Sequence, residues 1–273
     1  MAKGYSLHLG LNSVDPDHYD GWSGDLRACE FDANDMHAIA KSLGYAESQV
    51  LLTRQATSQA LLGALLDYSK KLVAGDILLL TYAGHGGQVD DDTGDEEDKL
   101  DETWLLYDRM VIDDELYRMY GLFKPGVRIS IVSDSCHSGS VSKLREEEGT
   151  TEDTGDFVPR LADIDLTRSV FEKHASTYLP LQIASAGASA APIPAGVILL
   201  SGCKDTQVSL DGTKNGLFTE KLKKVWKDGS FQGGYGKFHQ QIAAQMPMSQ
   251  SPQVSKVGTV DAAFVNQKPF AVA

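Results

Sequence analysis

Two short segments carry side chains able to make and break covalent bonds. One is Tyr82-Ala83-Gly84-His85-Gly86-Gly87, the other Ser133-Asp134-Ser135-Cys136-His137-Ser138-Gly139. A free thiol has a pKa of about 8.5, so only a small share is thiolate at neutral pH. A neighbouring imidazole takes the proton and stabilises the anion, which turns a Cys–His pair into a nucleophile. Cys136 is therefore the candidate nucleophile and His85 its base. Gly86 permits close approach of the backbone, and its amide with that of Cys136 offers two N–H groups to an oxyanion. Most free cysteines are buried structural thiols, but Ser135, His137, Ser138 and Gly139 give Cys136 the polar setting of a turn. His137 is the rival base. On an extended chain, adjacent side chains point to opposite faces, which aims it away from the thiol.

Asp134 precedes Cys136 by two positions, so on a strand end the two share a face, roughly 6–7 Å apart. A carboxylate is a poor neighbour for a thiolate unless a substrate cation lies between them. An aspartate in a pocket can hold Arg in bidentate fashion or Lys as a point charge.

Both reactive segments close an apolar run, and the runs alternate with helical patterns. Tyr5–Leu11, Val50–Thr53, Asp76–Tyr82 and Val127–Ser133 read as strands; Phe31–Leu43, Thr57–Val73 and Asp113–Leu122 read as helices. Asp76–Tyr82 is apolar almost throughout, as expected of a central strand covered on both faces. Alternation of this kind predicts an α/β fold with a mostly parallel sheet sandwiched by helices. Functional residues then collect at the carboxyl ends of the strands, where His85 and Cys136 can meet. From Ser138 to about Ala195 the pattern breaks down, and the acidic stretch from Glu146 to Asp156 reads as loop. A strand at Gly196–Ser201, helices at Asn215–Asp228 and Gly236–Met246, and an edge strand at Gln253–Val257 complete the pattern.

The chain has 273 residues, 42% of them hydrophobic and 23% charged, with a net charge of −13. That length can bury a substantial core. The acidic balance argues against nucleic acid and anionic membranes as partners, since phosphate binding needs clustered Lys and Arg. Met1-Ala2-Lys3-Gly4 leads straight into the first strand without an apolar leader, and no run reaches spanning length. Cys29, Cys136 and Cys203 form neither a disulfide framework nor a zinc pattern. The expectation is a reduced, cytoplasmic, monomeric protein.

A His-Gly pair at a strand end with a cysteine roughly 50 residues later has the spacing of caspases. The pentapeptide that surrounds the caspase cysteine is absent. Asp134-Ser135-Cys136-His137-Ser138-Gly139 instead resembles the metacaspase site. Cys29-Glu30-Phe31-Asp32-Ala33, Tyr82-Ala83-Gly84-His85-Gly86, Ile112-Asp113-Asp114-Glu115-Leu116 and Ser201-Gly202-Cys203-Lys204-Asp205 resemble metacaspases too, in the same order along the chain. The resemblance implies one caspase-like domain over 1–273, a three-layer sandwich with a large-subunit-like part (about 1–140), a loop (about 141–195) and a small-subunit-like part (about 196–273). It implies a cysteine endopeptidase acting on protein or peptide substrates with a basic P1 residue. Asp32, Asp134 and Asp205, with Cys29 beside them, match positions that line the specificity pocket. Asp32 has a simpler reading as a helix cap, and Asp205 as a turn residue. Ala83 stands where the family often has serine.

No cofactor is required by this chemistry, although many metacaspases bind Ca²⁺. Asp98, Asp101, Asp113 and Asp114 match that site, while Lys143 lies near the place of a further family ligand. The plain reading of the acidic run from Asp90 to Glu102 is a solvated loop, and it lacks the spacing of an EF-hand. Lys143, Arg145, Arg160, Arg168 and Lys173 are sites at which an Arg/Lys-specific enzyme could process itself.

Two other classes compete. A cysteine α/β-hydrolase would place a Gly two positions before the nucleophile and its histidine after it in the chain; here Asp134 takes the place of that Gly and His85 precedes Cys136, while His174 and His239, though downstream, lack a Gly-flanked strand-end context. A catalytically silent caspase-like scaffold would be expected to lose one of the dyad residues, and both are present. No G-x-G-x-x-G or P-loop follows a strand, which disfavours a nucleotide-binding module.

Overall fold

In the computed structural model, residues 1–94, 99–136, 157–204 and 207–273 are described. The first part runs β1 (Gly4–Gly10), α1 (Cys29–Ser42), β2 (Glu47–Leu52), α2 (Ser58–Lys71) and β3 (Ile77–Ala83). Then come β4 (Gly86–Asp90), β5 (Leu100–Leu105), β6 (Met110–Ile112), α3 (Asp113–Tyr120) and β7 (Arg128–Asp134). Beyond residue 156 lie β8 (Val158–Pro159), α4 (Ile164–Lys173), α5 (Ala175–Ser185), β9 (Gly196–Ser201) and β10 (Leu210–Asp211). The chain ends with α6 (Leu217–Trp226), α7 (Tyr235–Ala243), β11 (Gln253–Gly258) and α8 (Ala262–Asn266).

Six strands form the central sheet in the order β11-β9-β7-β3-β1-β2. Every pairing is parallel except β11 with β9. Strand side chains alternate between faces, and the two faces take different helices. Ile77 and Leu79 of β3 pack with Met36 and Ile39 of α1, Leu222 of α6 and Phe238 of α7. Leu78 and Leu80 point the other way, to Leu61 and Leu65 of α2 and to Leu116 and Tyr120 of α3. This is the three-layer sandwich the alternation predicts. β9 and β11, from the far end of the chain, pair beside β7, so both ends of the sequence build one sheet.

Two expectations need correction. The segment 141–195, read as loop, contains two helices: α4, which buries Val170 and Phe171, and α5, which buries Tyr178 and Gln182. Pro180 sits inside α5. A proline removes a helical hydrogen bond and normally marks a helix end, so the sequence there reads as broken. The acidic run Asp90–Glu102, read as a solvated loop, starts and ends in strands. β4, β5 and β6 form a second, antiparallel sheet. That sheet is stabilised by tertiary packing: Val89 and Leu105 pack with Val170, Phe171 and Tyr178 from α4 and α5. A neighbour so distant in sequence leaves no local signature. No helix of the described residues is long and apolar enough to cross a membrane.

Candidate active site

β3 and β7 are parallel neighbours with Ala83 opposite Asp134. The segments leaving their carboxyl ends therefore carry His85 and Cys136 from one edge of the sheet. His85 is buried, and its Nε2 lies 3.0 Å from the carbonyl oxygen of Gly24. A carbonyl only accepts, so Nε2 carries the hydrogen and Nδ1 holds the lone pair of the neutral ring. Among the described residues Nδ1 has no hydrogen-bond partner. The Trp22 ring lies against the imidazole at 4.8 Å. Burial lowers the His85 pKa to about 4; the bond to Gly24 opposes the shift and the Arg160 guanidinium adds to it. The imidazole is thus held neutral, in one tautomer.

Cys136 is also buried. Its Sγ donates to the Ser209 carbonyl at 3.6 Å and accepts from the Ser209 amide. Burial, then the adjacent Cys203 thiol, pushes the Cys136 pKa well above that of a free thiol. The thiol faces Ser209 and the imidazole faces Gly24, so no hydrogen bond joins them. A turn of the Cys136 side chain must precede any proton transfer between the two.

Residues 158–161 run through this site as an extra strand. β8 pairs antiparallel with β10, Pro159 opposite Leu210. Arg160 N–H donates to the Ser209 carbonyl at 2.9 Å. The Arg160 carbonyl accepts from both candidate oxyanion donors, Gly86 N–H at 3.1 Å and Cys136 N–H at 3.3 Å. Its side chain is fully buried. The guanidinium contacts Asp32 at 2.6 Å, Asp134 at 3.0 Å and Asp211 at 2.8 Å. Arg160 thus lies across the two strand ends with its amide engaged, its carbonyl between two N–H donors and its cation among three carboxylates.

The pocket is built by the start of α6 as much as by the carboxylates. Asp32 accepts from Gly216 N–H at 3.1 Å and from Asn215 at 2.8 Å. Asp134 accepts from Thr219 N–H at 3.1 Å, from its hydroxyl at 2.7 Å and from Ser209 Oγ at 2.5 Å. These N–H groups are orphan donors of a helix N-terminus, where negative charge is favoured. Asp211 accepts from Arg27 N–H at 2.7 Å and from the Cys29 thiol at 3.8 Å. Burial pushes the Asp32 carboxyl up to about 7, with the Arg160 guanidinium pulling it down and Asp134 pushing it further up. Three buried carboxylates require a cation. Gly216 makes room for one: a Cβ there would stand 2.6 Å from the guanidinium carbon.

Of the pocket residues taken from the sequence, Asp32 and Asp134 meet around one cation, with Cys29 and Ala83 packed together alongside. Asp32 lies within α1 rather than at its N-cap, which removes the capping alternative. Asp205, Asp98, His137, Lys143 and Arg145 lie outside the described residues. Asp211, Ser209 and Gly216 were not foreseen. Asp211-Gly212 has the look of an ordinary turn, and only the fold brings it to Asp32. Of the Ca²⁺ candidates within the described residues, Asp101 of β5 accepts from Gln182 at 2.6 Å, and Asp114 of α3 from Ser189 N–H at 3.2 Å. Among the described residues no group of three or more His, Cys, Asp or Glu is placed to hold a metal ion.

The profile of the Caspase domain family, peptidase C14, matches residues 14–264. Metacaspase-1A of Aspergillus fumigatus is 33% identical over 250 residues, covering 80% of this chain. Metacaspase-1 of Kluyveromyces lactis is 30% identical over 250 residues, covering 77% of this chain. The chain spans 59% and 55% of the lengths of these two relatives. A crystal structure of protein GSU0716 from Geobacter sulfurreducens superposes with a TM-score of 0.90 at 44% identity, covering 99% of each chain. Caspase-1 from Spodoptera frugiperda shares the fold, with a TM-score of 0.53 at 9% identity over 94% of this chain and 86% of its own. With its sheet order, its paired strand ends and these relatives, the chain belongs to the caspase-domain family of cysteine peptidases and is metacaspase-like within it.

Proposed function

We propose that this chain is a cysteine endopeptidase that cuts after arginine, and after lysine, and that its first substrate is its own Arg160–Leu161 bond. One observation carries the reading: Arg160 already occupies the pocket with its carbonyl between the Gly86 and Cys136 amides. In this reading Cys136 turns from Ser209 toward the Arg160 carbonyl carbon and gives its proton to Nδ1 of His85. The thiolate attacks, and the carbonyl oxygen becomes an oxyanion held by two N–H groups already aimed at it. Collapse of the adduct breaks the C–N bond, with the His85 imidazolium protonating the departing amine. Water, deprotonated by His85, then hydrolyses the thioester. Gly24 orients the base throughout, as the third group of a triad does.

Arginine suits the pocket better than lysine, because its planar fork reaches Asp211 through Nε and Nη2 while Nη1 and Nη2 serve Asp134 and Asp32. Among the other candidate self-cleavage sites within the described residues, Arg168 pairs with Asp90 and Lys173 with Asp20, both on α4 and away from the thiol. A silent scaffold has no use for a substrate-like seat beside an intact Cys–His pair, so the enzyme reading is the stronger. A peptidyl-arginine acyloxymethylketone tests it. Labelling at Cys136 that is lost in His85→Ala supports the reading; absence of labelling in protein whose Arg160 has been replaced by alanine to open the pocket refutes it.

A further inference from the structure

The amine released when Arg160–Leu161 breaks has nowhere to go. Leu161 is buried against Cys136 and Cys203, with Val208 packed beside them. Ala162 is buried against Val14, Tyr19, Val89 and Leu105, and its N–H donates to the Gly86 carbonyl at 2.9 Å. Asp163 caps α4, accepting from Asp165 N–H at 2.8 Å. One turn on, Thr167 Oγ1 donates to the Gln88 carbonyl at 2.5 Å. Gly87 allows this approach, since a Cβ there would lie 2.9 Å from the Thr167 methyl. Gln182 of α5 then reaches the Asp90 carbonyl at 2.9 Å. From Leu161 onward the chain is thus part of the second sheet's packing, and cutting one peptide bond removes none of these contacts.

We infer that the site has a second activity, peptide ligation: the Arg160 acyl-enzyme is captured by the Leu161 amine faster than by water. The inference rests on the peptidase reading above. In the forward step the Cys136 sulfur bonds to the Arg160 carbonyl carbon, the bond to Leu161 nitrogen breaks, and that nitrogen takes the His85 proton. In the reverse step the neutral Leu161 amine attacks the thioester carbon, the C–S bond breaks, the thiolate leaves, and the proton returns to His85. No other reactant is consumed. Oriented intramolecular reactions reach effective molarities of about 10⁵–10⁸ M, far above any concentration of water. The linker is therefore cut and resealed many times for each hydrolysis, and it acts on the pocket as a tethered reversible inhibitor. The acceptor chemistry is an amino-terminal apolar residue followed by a small one, the pattern of Leu161-Ala162.

Hydroxylamine, a small and strong nucleophile, tests this in the full-length protein. Chain separation at Arg160–Leu161 is followed on denaturing gels, and the new carboxyl end is identified by mass spectrometry. Capture by Leu161 hides most acylation events, so hydroxylamine should raise the rate of chain separation about tenfold or more and leave Arg160 as its hydroxamate. Thr167→Val, which loosens α4 from β4, should also raise the rate in buffer alone and shrink the effect of hydroxylamine. A rate unchanged by hydroxylamine, or a chain that stays whole in it, overturns the inference. Turnover of an arginyl peptide by Arg160→Ala protein, whose pocket is open, separates the two failures: if it is present, the ligation inference alone falls. If it is absent, or persists in Cys136→Ala, the peptidase reading falls as well.

Discussion

Replacing Arg160 with alanine is the most informative single change, because it separates the pocket's electrostatics from its catalysis. The guanidinium is the counter-ion of Asp32, Asp134 and Asp211, each at most 2% exposed. Removing one partner of a buried ion pair costs about 3–5 kcal/mol, since the charge left behind is uncompensated. For a chain of this size that lowers Tm by roughly 10 °C at neutral pH. The loss must also depend on pH. Asp32 sits at about 7 even with Arg160 in place, and Arg160 is what lowers it; without Arg160 the carboxyl rises further. Its native pKa then lies well above the unfolded value of about 3.9, so the native state binds more protons across that window. Stability of the variant therefore falls as pH rises from about 4, and the gap from the parent widens toward alkaline pH. Thermal melts at pH 5, 6.5 and 8, with both proteins in a Cys136→Ala background to prevent processing, measure this. Arginine amide should restore part of the lost Tm by refilling the pocket. Equal stability at pH 8, or a loss that does not change with pH, would refute a pocket of three buried carboxylates neutralised by one cation.

Other expectations follow from the same geometry. In Arg160→Ala protein, Gly216→Ala places a methyl group against the guanidinium site, so kcat/KM for arginyl peptides should fall by at least about 100-fold while circular dichroism is unchanged; normal turnover would mean the basic group binds elsewhere. His85 is held at about 4 against an unperturbed 6.5, so it contributes a loss of stability as pH falls from about 6.5 to 4. The shift corresponds to about 3 kcal/mol at most, and urea titrations of His85→Gln should show a correspondingly flatter acid limb. Because the proposed steps use only Cys136, His85 and two backbone amides, a chelator should leave peptide turnover unchanged; a clear loss would mean that the activity depends on a bound cation.

The placing of His85, Cys136 and Asp134 at one sheet edge was legible in the sequence because it depends on local features, whereas Asp32 came from the family resemblance. A buried strand ends at Ala83 and another at Asp134, and the reactive residues follow within two positions. The strands and helices of the main sheet were legible for the same reason, since their periodicity is local. What stayed hidden depends on distant contacts. Asp211 reaches the pocket only because β10 pairs with β8, and α4 and α5 hold against a sheet whose middle looks like an acidic loop. Arg160 was one of five basic residues in an unpatterned stretch. Its carbonyl pairing with Gly86 and Cys136 sets it apart, and no spacing rule contains that fact. His85 and Cys136 leave the same sheet edge, yet each bonds to a backbone group rather than to the other.

The central claim is that Cys136 attacks a carbonyl whose side chain lies among Asp32, Asp134 and Asp211. Its most direct test is a set of peptides identical except at P1, carrying Arg, Lys, Ala or Asp, turned over by Arg160→Ala protein and by Arg160→Ala/Cys136→Ala protein. The account predicts the order Arg, then Lys, with Ala and Asp lower by a factor of about 100 or more, and no turnover without Cys136. A preference for Asp, indifference at P1, or cleavage that survives loss of Cys136 would contradict it.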